Sequence, residues 1–384
     1  MNRLIAIALP VGPRFVAELD AAFDDGDAVL PVDVRLGDEA RTALLAAMAP
    51  AVLVARPGER IALEGAQPVE EGDALVVATS GTTGGPKGVV LTHEAVAASA
   101  RATSVRLGVD PGRDRWWACL PVAHIGGLSV VLRSRAEKVP LDAGPFSEKG
   151  AAAALGRGAT LVSLVPTALR RLEPEIAAGF RRIVLGGQAP PEALPANVVT
   201  TYGLTETGSG VVYDGLPLEG VEVRVDPDRS EIELRGPMLL RAYRDGSDPK
   251  SSDGWFATGD AGALGTDGRL SVRGRLGELV ISGGENVWPS AVEPLVEAHP
   301  SVREAAIGGR RDPEWGERVT AYVVAAVPVD AAALLAEVRE LVRNGLAGFA
   351  APRQLVLVDE LPRTAIGKIR REALSSLEGP SASV

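Results

Sequence analysis

Ala78-Thr-Ser-Gly-Thr-Thr-Gly-Gly-Pro-Lys-Gly88 stands between two apolar runs, Ala74–Val77 and Val89–Leu91, so it reads as a tight loop between two buried strands. Gly81, Gly84 and Gly85 open backbone angles closed to other residues and let main-chain N–H groups approach a ligand. Thr79, Ser80, Thr82 and Thr83 add hydroxyls, and Lys87 adds one fixed positive charge. That is a cradle for a polyphosphate. An ordinary Gly/Ser/Thr surface loop is the competing reading. It is weakened by the hydroxyls at nearly every free position and by the scarcity of lysine, of which the chain has five, one of them here. A Walker-type loop is excluded, because it needs Gly before the lysine and Ser or Thr after it, where Pro86 and Gly88 stand.

The rest of the composition narrows the class. At 384 residues the chain has room for more than one domain, since single cores stop growing at roughly 250–300 residues. A net charge of −10 without long basic clusters argues against nucleic acid or an anionic membrane as partner and leaves small molecules. One cysteine, Cys119, allows no internal disulfide framework and fits a reducing compartment, so the cytoplasm is expected. The N-terminal run MNRLIAIALPVG, broken by Pro10 and lacking an A-x-A site, reads as a first strand and not as a secretory signal. No window approaches eighteen uninterrupted apolar residues, so no membrane insertion is expected.

Short apolar runs alternate with helical stretches as far as Thr201, which predicts a large, layered α/β domain with a largely parallel sheet. Helices are expected at Asp38–Ala49, Glu94–Leu107 and after Gly127. Strands are expected at Leu4–Leu9, Ala51–Ala55, Trp116–Leu120, Thr160–Val165, Arg182–Leu185 and Val198–Thr201. After Tyr202, segments such as Val221–Val225, Glu231–Arg235 and Leu270–Val272 read as a small β-rich subdomain. A smaller α+β part follows, with helices near Ser290–His299 and Ala331–Leu346 and strands near Val319–Val327 and Gln354–Val358. The Gly-flanked turn Gly274–Gly277 is the expected boundary and hinge, giving a domain of residues 1–274, a hinge at 275–277 and a mobile lid of residues 278–384. The tail after Leu377 is expected to fray.

Four further stretches carry polar chemistry. In Thr201-Tyr-Gly-Leu-Thr-Glu-Thr-Gly208, at a strand end where ligands of α/β sheets collect, Tyr202 is placed to stack on a base, Thr205 to meet a phosphate and Glu206 to hold Mg²⁺; a plain strand-to-loop turn is the other reading. Asp260, at the end of GWFATGD, reads either as a turn-capping aspartate or as an acceptor for two ribose hydroxyls, and Arg275 either as a solvated arginine or as a second contact there. Lys368, beside Gly367, reads as a lysine that a moving loop delivers to an active site. His124 beside Gly126-Gly127 is equally well read as a satisfied core residue or as a group at close ligand approach. Neither a His/Cys metal cluster nor a G-x-S-x-G elbow is present in the sequence.

Taken in order, TSGTTGGPKG, TYGLTETG, GWFATGD, GRLGELVISGGENVWP and LPRTAIGK resemble the adenylate-forming superfamily of acyl-CoA synthetases, carrier-protein adenylation domains and luciferases, over about Asp73 to Leu374. The abbreviated N-terminal segment, LPVAHIGGLSVVLRS and VVYDGLPLEGV bring the resemblance nearest to the branch of acid–CoA ligases that act on 2-succinylbenzoate in menaquinone biosynthesis. It implies MgATP-dependent formation of an acyl-adenylate with release of pyrophosphate, then displacement of AMP by the CoA thiol. Another aryl- or acyl-CoA ligase, or a stand-alone adenylation enzyme loading a carrier protein, is the alternative. By resemblance Thr79, Ser80, Gly81, Thr82, Thr83, Gly84 and Lys87 bind the triphosphate; Gly187, Gln188 and Tyr202 the adenine; Asp260 and Arg275 the ribose. Thr205 and Glu206 take the phosphate and Mg²⁺ positions, His124 gates the acid from ATP, and Lys368 contacts the reacting groups in the first step. Gly283, Gly284 and Trp315 fall to CoA, and Ser163, Thr167, Gly186, Gly208 and Ser209 to the acyl pocket. The hinge residue of the family is commonly Asp or Lys and here is Gly277, and Glu278 replaces a common aspartate. The abbreviated segment leaves the acyl pocket and a homodimer surface as the parts expected to differ from longer relatives.

Overall fold

In the computed structural model, which describes residues 2–80, 86–191, 193–363 and 369–384 and of Ser80 only the backbone, Leu4–Ile7 forms β1 with all four residues buried. Such a run suits a strand covered on both faces. β1 pairs in parallel with β2 (Ala28–Pro31) and β3 (Val52–Arg56), and β2 with β5 (Asp73–Ser80). The edges are antiparallel: β4 (Glu59–Ala62) lies on β3, β6 (Pro86–Thr92) on β5, and β16 (Ala242–Tyr243) on β6. Helices α1 (Pro13–Asp24), α2 (Asp38–Met48) and α3 (His93–Leu107) belong to this part. Thr92 caps α3 by accepting from the Ala95 N–H, and Gly108 ends it in the left-handed conformation.

A second seven-stranded sheet has the order β13-β12-β11-β10-β9-β7-β8. Its strands are β7 (Trp116–Ala118), β8 (Leu141–Ala143), β9 (Leu161–Leu164), β10 (Arg182–Leu185), β11 (Val198–Leu204), β12 (Ser209–Tyr213) and β13 (Leu216–Pro217). β8 through β11 run parallel, while β12 and β13 are antiparallel. Helices α4 (Ile125–Ala136), α5 (Glu148–Gly156), α6 (Pro166–Leu169) and α7 (Pro174–Gly179) connect them. The parallel α/β layering is therefore as expected, but spread over two sheets with antiparallel borders. The four-residue β2 ends at a proline and was too short to stand out as a period.

The β-rich segment is a four-stranded sheet, β14 (Glu222–Val225), β15 (Glu231–Arg235), β17 (Phe256–Leu264) and β18 (Leu270–Arg275) in that order. Asp260 lies within β17 and not at the end of a turn; the left-handed Gly259 (φ 73°) let the TGD triplet read as one. By chain contacts one compact unit comprises Met1–Arg224, Glu233–Ala257 and Thr266–Leu270, and the other Val225–Ile232, Thr258–Gly265 and Ser271–Val384.

The C-terminal part is a six-stranded sheet: β19 (Val280–Ser282), β20 (Glu285–Val287), β21 (Val302–Asp312), β22 (Gly316–Ala325), β23 (Gln354–Leu357) and β24 (Ser381–Ser383). Helices α8 (Pro289–Glu297) and α9 (Ala331–Gly345) pack on it. Asp330 caps α9 through the Ala332 and Ala333 N–H groups, and Ala331, Leu334, Leu335, Val338 and Val342 form its buried stripe at helical spacing. They join Val292, Val296, Ile307, Val319 and Leu355 in one core. The tail does not fray: β24 pairs with β23, Gln354 opposite Ser383, because a strand edge was open to it. The eleven-residue β21 escaped notice because VREAAIGGRRD has neither apolar continuity nor clean alternation. Among the described residues no helix is long and apolar enough to cross a membrane.

Candidate active site

The phosphate-loop strands pair up to its edge, with Ala78 opposite Gly88, Thr79 opposite Lys87 and Ser80 opposite Pro86. Gly81, Thr82, Thr83 and Gly84 lie outside the described residues. Thr79 Oγ1 donates to the Lys87 carbonyl at 3.3 Å and so closes the hairpin. Lys87 Nζ stands 3.4 Å from the centroid of the Tyr243 ring, and the Tyr243 hydroxyl donates to Glu206 Oε1 at 3.1 Å. Glu206 sits in a single 3₁₀ turn, Thr205–Thr207, whose buried Thr207 hydroxyl bonds Leu204 and Ser209. Its carbonyl accepts from the Leu240 N–H at 2.7 Å. The first unit thus gathers Lys87, Thr205 and Glu206, and Tyr202 stands half-buried on adjoining β11.

Gly187 (φ 86°) and Gln188 are exposed just beyond β10. Gly186 is required there, since a Cβ would lie 2.5 Å from Thr201 Oγ1. Ser163, in β9, is buried, and its Oγ has no hydrogen-bond partner among the described residues; Thr167 is exposed on α6 and Gly208 is left-handed (φ 66°). Ser209, in β12, turns its hydroxyl to Arg133, accepting from Nη2 at 2.5 Å and lying 3.3 Å from Ser99 Oγ.

Arg133 is the residue that sequence reasoning missed. It is 3 % exposed on α4, its Nη2 also reaches the Tyr213 hydroxyl at 3.4 Å, and its Nε has no partner among the described residues. No carboxylate among them lies within ion-pair distance. An arginine closing the apolar run Leu128–Leu132 of α4, two residues before the exposed Arg135, was the available signal.

His124 is the N-cap of α4, which begins at Ile125 and not after Gly127. Gly126 and Gly127 therefore lie in its first turn. A Cβ at Gly127 would lie 2.3 Å from the Pro121 carbonyl oxygen, so this glycine admits the protein's own backbone and not a ligand. His124 Nε2 is 3.7 Å from Asp33 Oδ2. Hydrogen bonds from Arg35, at 2.6 Å and 2.9 Å, hold the buried Asp33 carboxyl below its usual range. Burial pushes the Cys119 thiol up to about 12, so it offers no thiolate nucleophile near neutrality.

In the second unit Asp260 Oδ1 pairs with Arg275 Nε at 2.9 Å, and Arg275 Nη1 donates to the Thr258 carbonyl at 3.0 Å. Gly277 lies in the 3₁₀ turn Leu276–Glu278. Gly283 and Gly284 (φ 62° and 84°) make the two-residue turn between β19 and β20, a conformation that demands such residues. The Trp315 ring lies 2.8 Å from where a Gly283 Cβ would be, and the Gly283 N–H donates to the Trp315 carbonyl at 2.8 Å. Arg353 stacks 3.6 Å from the Trp315 ring centroid. Lys368 lies outside the described residues; flanking Arg363 and Ile369 form an antiparallel bridge.

The description of AMP-binding enzymes matches residues 60–243, and that of the AMP-binding enzyme C-terminal domain matches residues 291–368. The probable 2-succinylbenzoate–CoA ligase of Mycobacterium tuberculosis (strain ATCC 25618 / H37Rv) is 39 % identical over 349 residues, covering 84 % of this chain and 90 % of that relative. The chain belongs to the AMP-binding enzyme family. Another relative is the 2-succinylbenzoate–CoA ligase of Listeria monocytogenes serotype 4b (strain F2365), 35 % identical, covering 78 % of this chain and 69 % of that one. Among solved AMP-binding enzymes, o-succinylbenzoate CoA synthetase from Bacillus subtilis with the acyl-adenylate intermediate OSB-AMP superposes with a TM-score of 0.86 at 28 % identity, over 98 % of this chain and 89 % of that one. The same enzyme with ATP and magnesium ion gives 0.84 at 28 % identity, over 97 % and 89 %. The expected family and fold class therefore both hold.

Proposed function

We propose that the chain is an ATP-dependent acid–CoA ligase whose acid is 2-succinylbenzoate, acting in menaquinone biosynthesis; a cytoplasmic setting suits its one buried thiol. Buried Arg133 carries the choice of acid. 2-Succinylbenzoate has two carboxylates, of which one reacts and the other has to be held without reacting. A guanidinium buried among hydroxyls, with no acid among the described residues within ion-pair distance, supports recognition of that second charge.

In the proposed first step a carboxylate oxygen attacks the α-phosphorus of ATP, the bond to the bridging oxygen breaks, and pyrophosphate leaves. Lys87 and the loop hydroxyls neutralise and orient the phosphates. Gly187, Gln188 and Tyr202 take the adenine, Asp260 and Arg275 the ribose, and His124 separates the acid from the nucleotide. Glu206 fits Mg²⁺: Tyr243 occupies Oε1, Oε2 accepts no hydrogen bond among the described residues, and this ion commonly uses one carboxylate beside substrate phosphates. When bound, the ion neutralises phosphate charge. In the second step the CoA sulfur attacks the acyl carbon and AMP leaves, with Gly283, Gly284 and Trp315 lining the thiol's approach. The lid of residues 278–384, turning at 275–277, carries Lys368 to the first step and the Trp315 turn to the second.

Incubating the chain with ATP, Mg²⁺, CoA and a panel of 2-succinylbenzoate, benzoate and medium-chain acids tests this. The expected result is a thioester, AMP and pyrophosphate with 2-succinylbenzoate preferred. Adenylate without CoA turnover, or preference for a monocarboxylic acid, overturns it.

A further inference from the structure

Tyr243 belongs to none of the sequence stretches singled out above, yet two groups assigned to the nucleotide meet on it. β16 is two residues long and pairs with β6, Tyr243 opposite Val89, which brings the phenol beside the strand that carries Lys87. The ring is 8 % exposed. Its face takes the Lys87 ammonium, 3.4 Å from the centroid, and its hydroxyl donates to Glu206 Oε1 at 3.1 Å. Neither of these contacts is an ion pair between Lys87 and Glu206. An ammonium and a carboxylate gathered this closely would otherwise neutralise one another.

We propose that Tyr243 is a positioning residue that holds Lys87 and Glu206 apart, so that the ammonium stays available to a phosphate and the carboxylate to a divalent cation. The inference rests on the nucleotide site proposed above. A ring face attracts a cation through its quadrupole and gives it up to a full anion. The hydroxyl occupies one oxygen of Glu206 and leaves the other for the metal. Incoming triphosphate thus draws Lys87 off the ring without breaking a salt bridge, while Glu206 keeps its orientation.

Calorimetric titration of the full chain with ATP, in EDTA and in Mg²⁺, separates the two functions of the phenol. Tyr243→Phe keeps the ring and removes only the bond to Glu206. Its affinity in EDTA is expected within about twofold of the parent, while the gain in affinity on adding Mg²⁺ falls about tenfold, the worth of one hydrogen bond to a charged group. Tyr243→Leu is expected to weaken binding in EDTA as well. In a Glu206→Gln background Tyr243→Phe should change nothing further. A Tyr243→Phe chain with the parent's full gain from Mg²⁺ overturns the inference.

A measurement on the unsubstituted chain is independent of any folding defect. With five lysines, ¹³C-lysine labelling gives a sparse spectrum in which the ε-methylene of Lys87, assigned by its loss in Lys87→Arg, is expected upfield under the ring current. It should return to the ordinary position on addition of ATP. A Lys87 signal at the ordinary position before ATP overturns the inference. A parent chain that binds ATP under neither condition overturns the functional reading itself, whereas normal parental binding with an unaltered Tyr243→Phe overturns only the role of Tyr243.

Discussion

Arg133 lies buried in the last turn of α4, packed against the Trp116 ring at 5.9 Å and the hydroxyls of Ser209 and Tyr213. A buried charge without a counter-charge carries a desolvation penalty that an apolar side chain of similar volume avoids. Arg133→Met is therefore expected to fold with stability equal to the parent or higher. If the guanidinium holds the unreactive carboxylate of the acid, the same variant should raise KM for 2-succinylbenzoate about a hundredfold, the loss typical of one buried charge pair. Benzoate turnover should hardly change. Steady-state kinetics with both acids beside thermal melts decide the matter: lowered melting with unchanged KM would make Arg133 a core residue and nothing more. At this scale the sequence singled out Lys87 because lysine is scarce, and the structure sets it near Glu206 through the Tyr243 ring. The sequence was not legible where chemistry depends on which way a strand face points. Ser209 and Tyr213 both turn to Arg133 from β12, whose register with β11 shifts between them, and that facing is set by packing that no local pattern shows.

Elements are lashed together at their ends, and Asp114 shows how. Lying just before β7, it is buried, and accepts from Arg181 Nε and Nη2 at 2.8 and 2.6 Å, from Thr160 Oγ1 at 2.8 Å and from the Asp110 N–H at 2.8 Å. Arg181 precedes β10 and Thr160 precedes β9, so one carboxylate ties the starts of three neighbouring parallel strands. Burial pushes its pKa up, but the hydrogen bonds from Arg181, Asp110 and Thr160 outweigh that and leave it lowered. A carboxyl lowered in the folded state contributes stability in full above its unfolded value, about 3.9, and loses it as pH falls through the folded value. Asp114→Asn, which leaves Arg181 without its counter-charge, is expected to lower stability by about 3 kcal/mol at pH 7. The gap from the parent should narrow as pH drops below about 4. Urea melts across pH 7 to 3.5 measure this, and a gap independent of pH would mean that the carboxylate's charge contributes nothing. Elements with a long period, such as α3 and α9, and runs buried on both faces, such as β1, were readable from sequence. Short β2 and the mixed run of β21 were not, because their partners, and not their own pattern, make them strands.

For the whole molecule the decisive length is that of β21. Trp315 lies in the turn that joins β21 to β22, whereas Arg363, which flanks the segment carrying Lys368, is salt-bridged at 2.6 Å to Glu304 near the start of β21. Eight residues separate Glu304 from Asp312, about 27 Å at roughly 3.4 Å per residue of strand. A packed unit with Trp315 at one end of this ribbon and Arg363 at the other does not bring both ends to a single reacting centre without turning, which supports two half-reactions served in succession. Gly277 is consistent with such a turn. Its 3₁₀ conformation here does not require glycine, since a Cβ would meet nothing within 4 Å, so the freedom of a glycine would be used in another arrangement. On this reading the two ends fail separately when substituted. Lys368→Ala is expected to slow adenylation, followed as pyrophosphate release, by roughly 10²–10³, and to leave thioester formation from supplied acyl-adenylate near the parental rate. Trp315→Ala should do the reverse, raising KM for CoA by about tenfold or more with pyrophosphate release intact. If either substitution slowed both half-reactions equally, the ends of β21 would have to act together, and alternation about residues 275–277 would be ruled out.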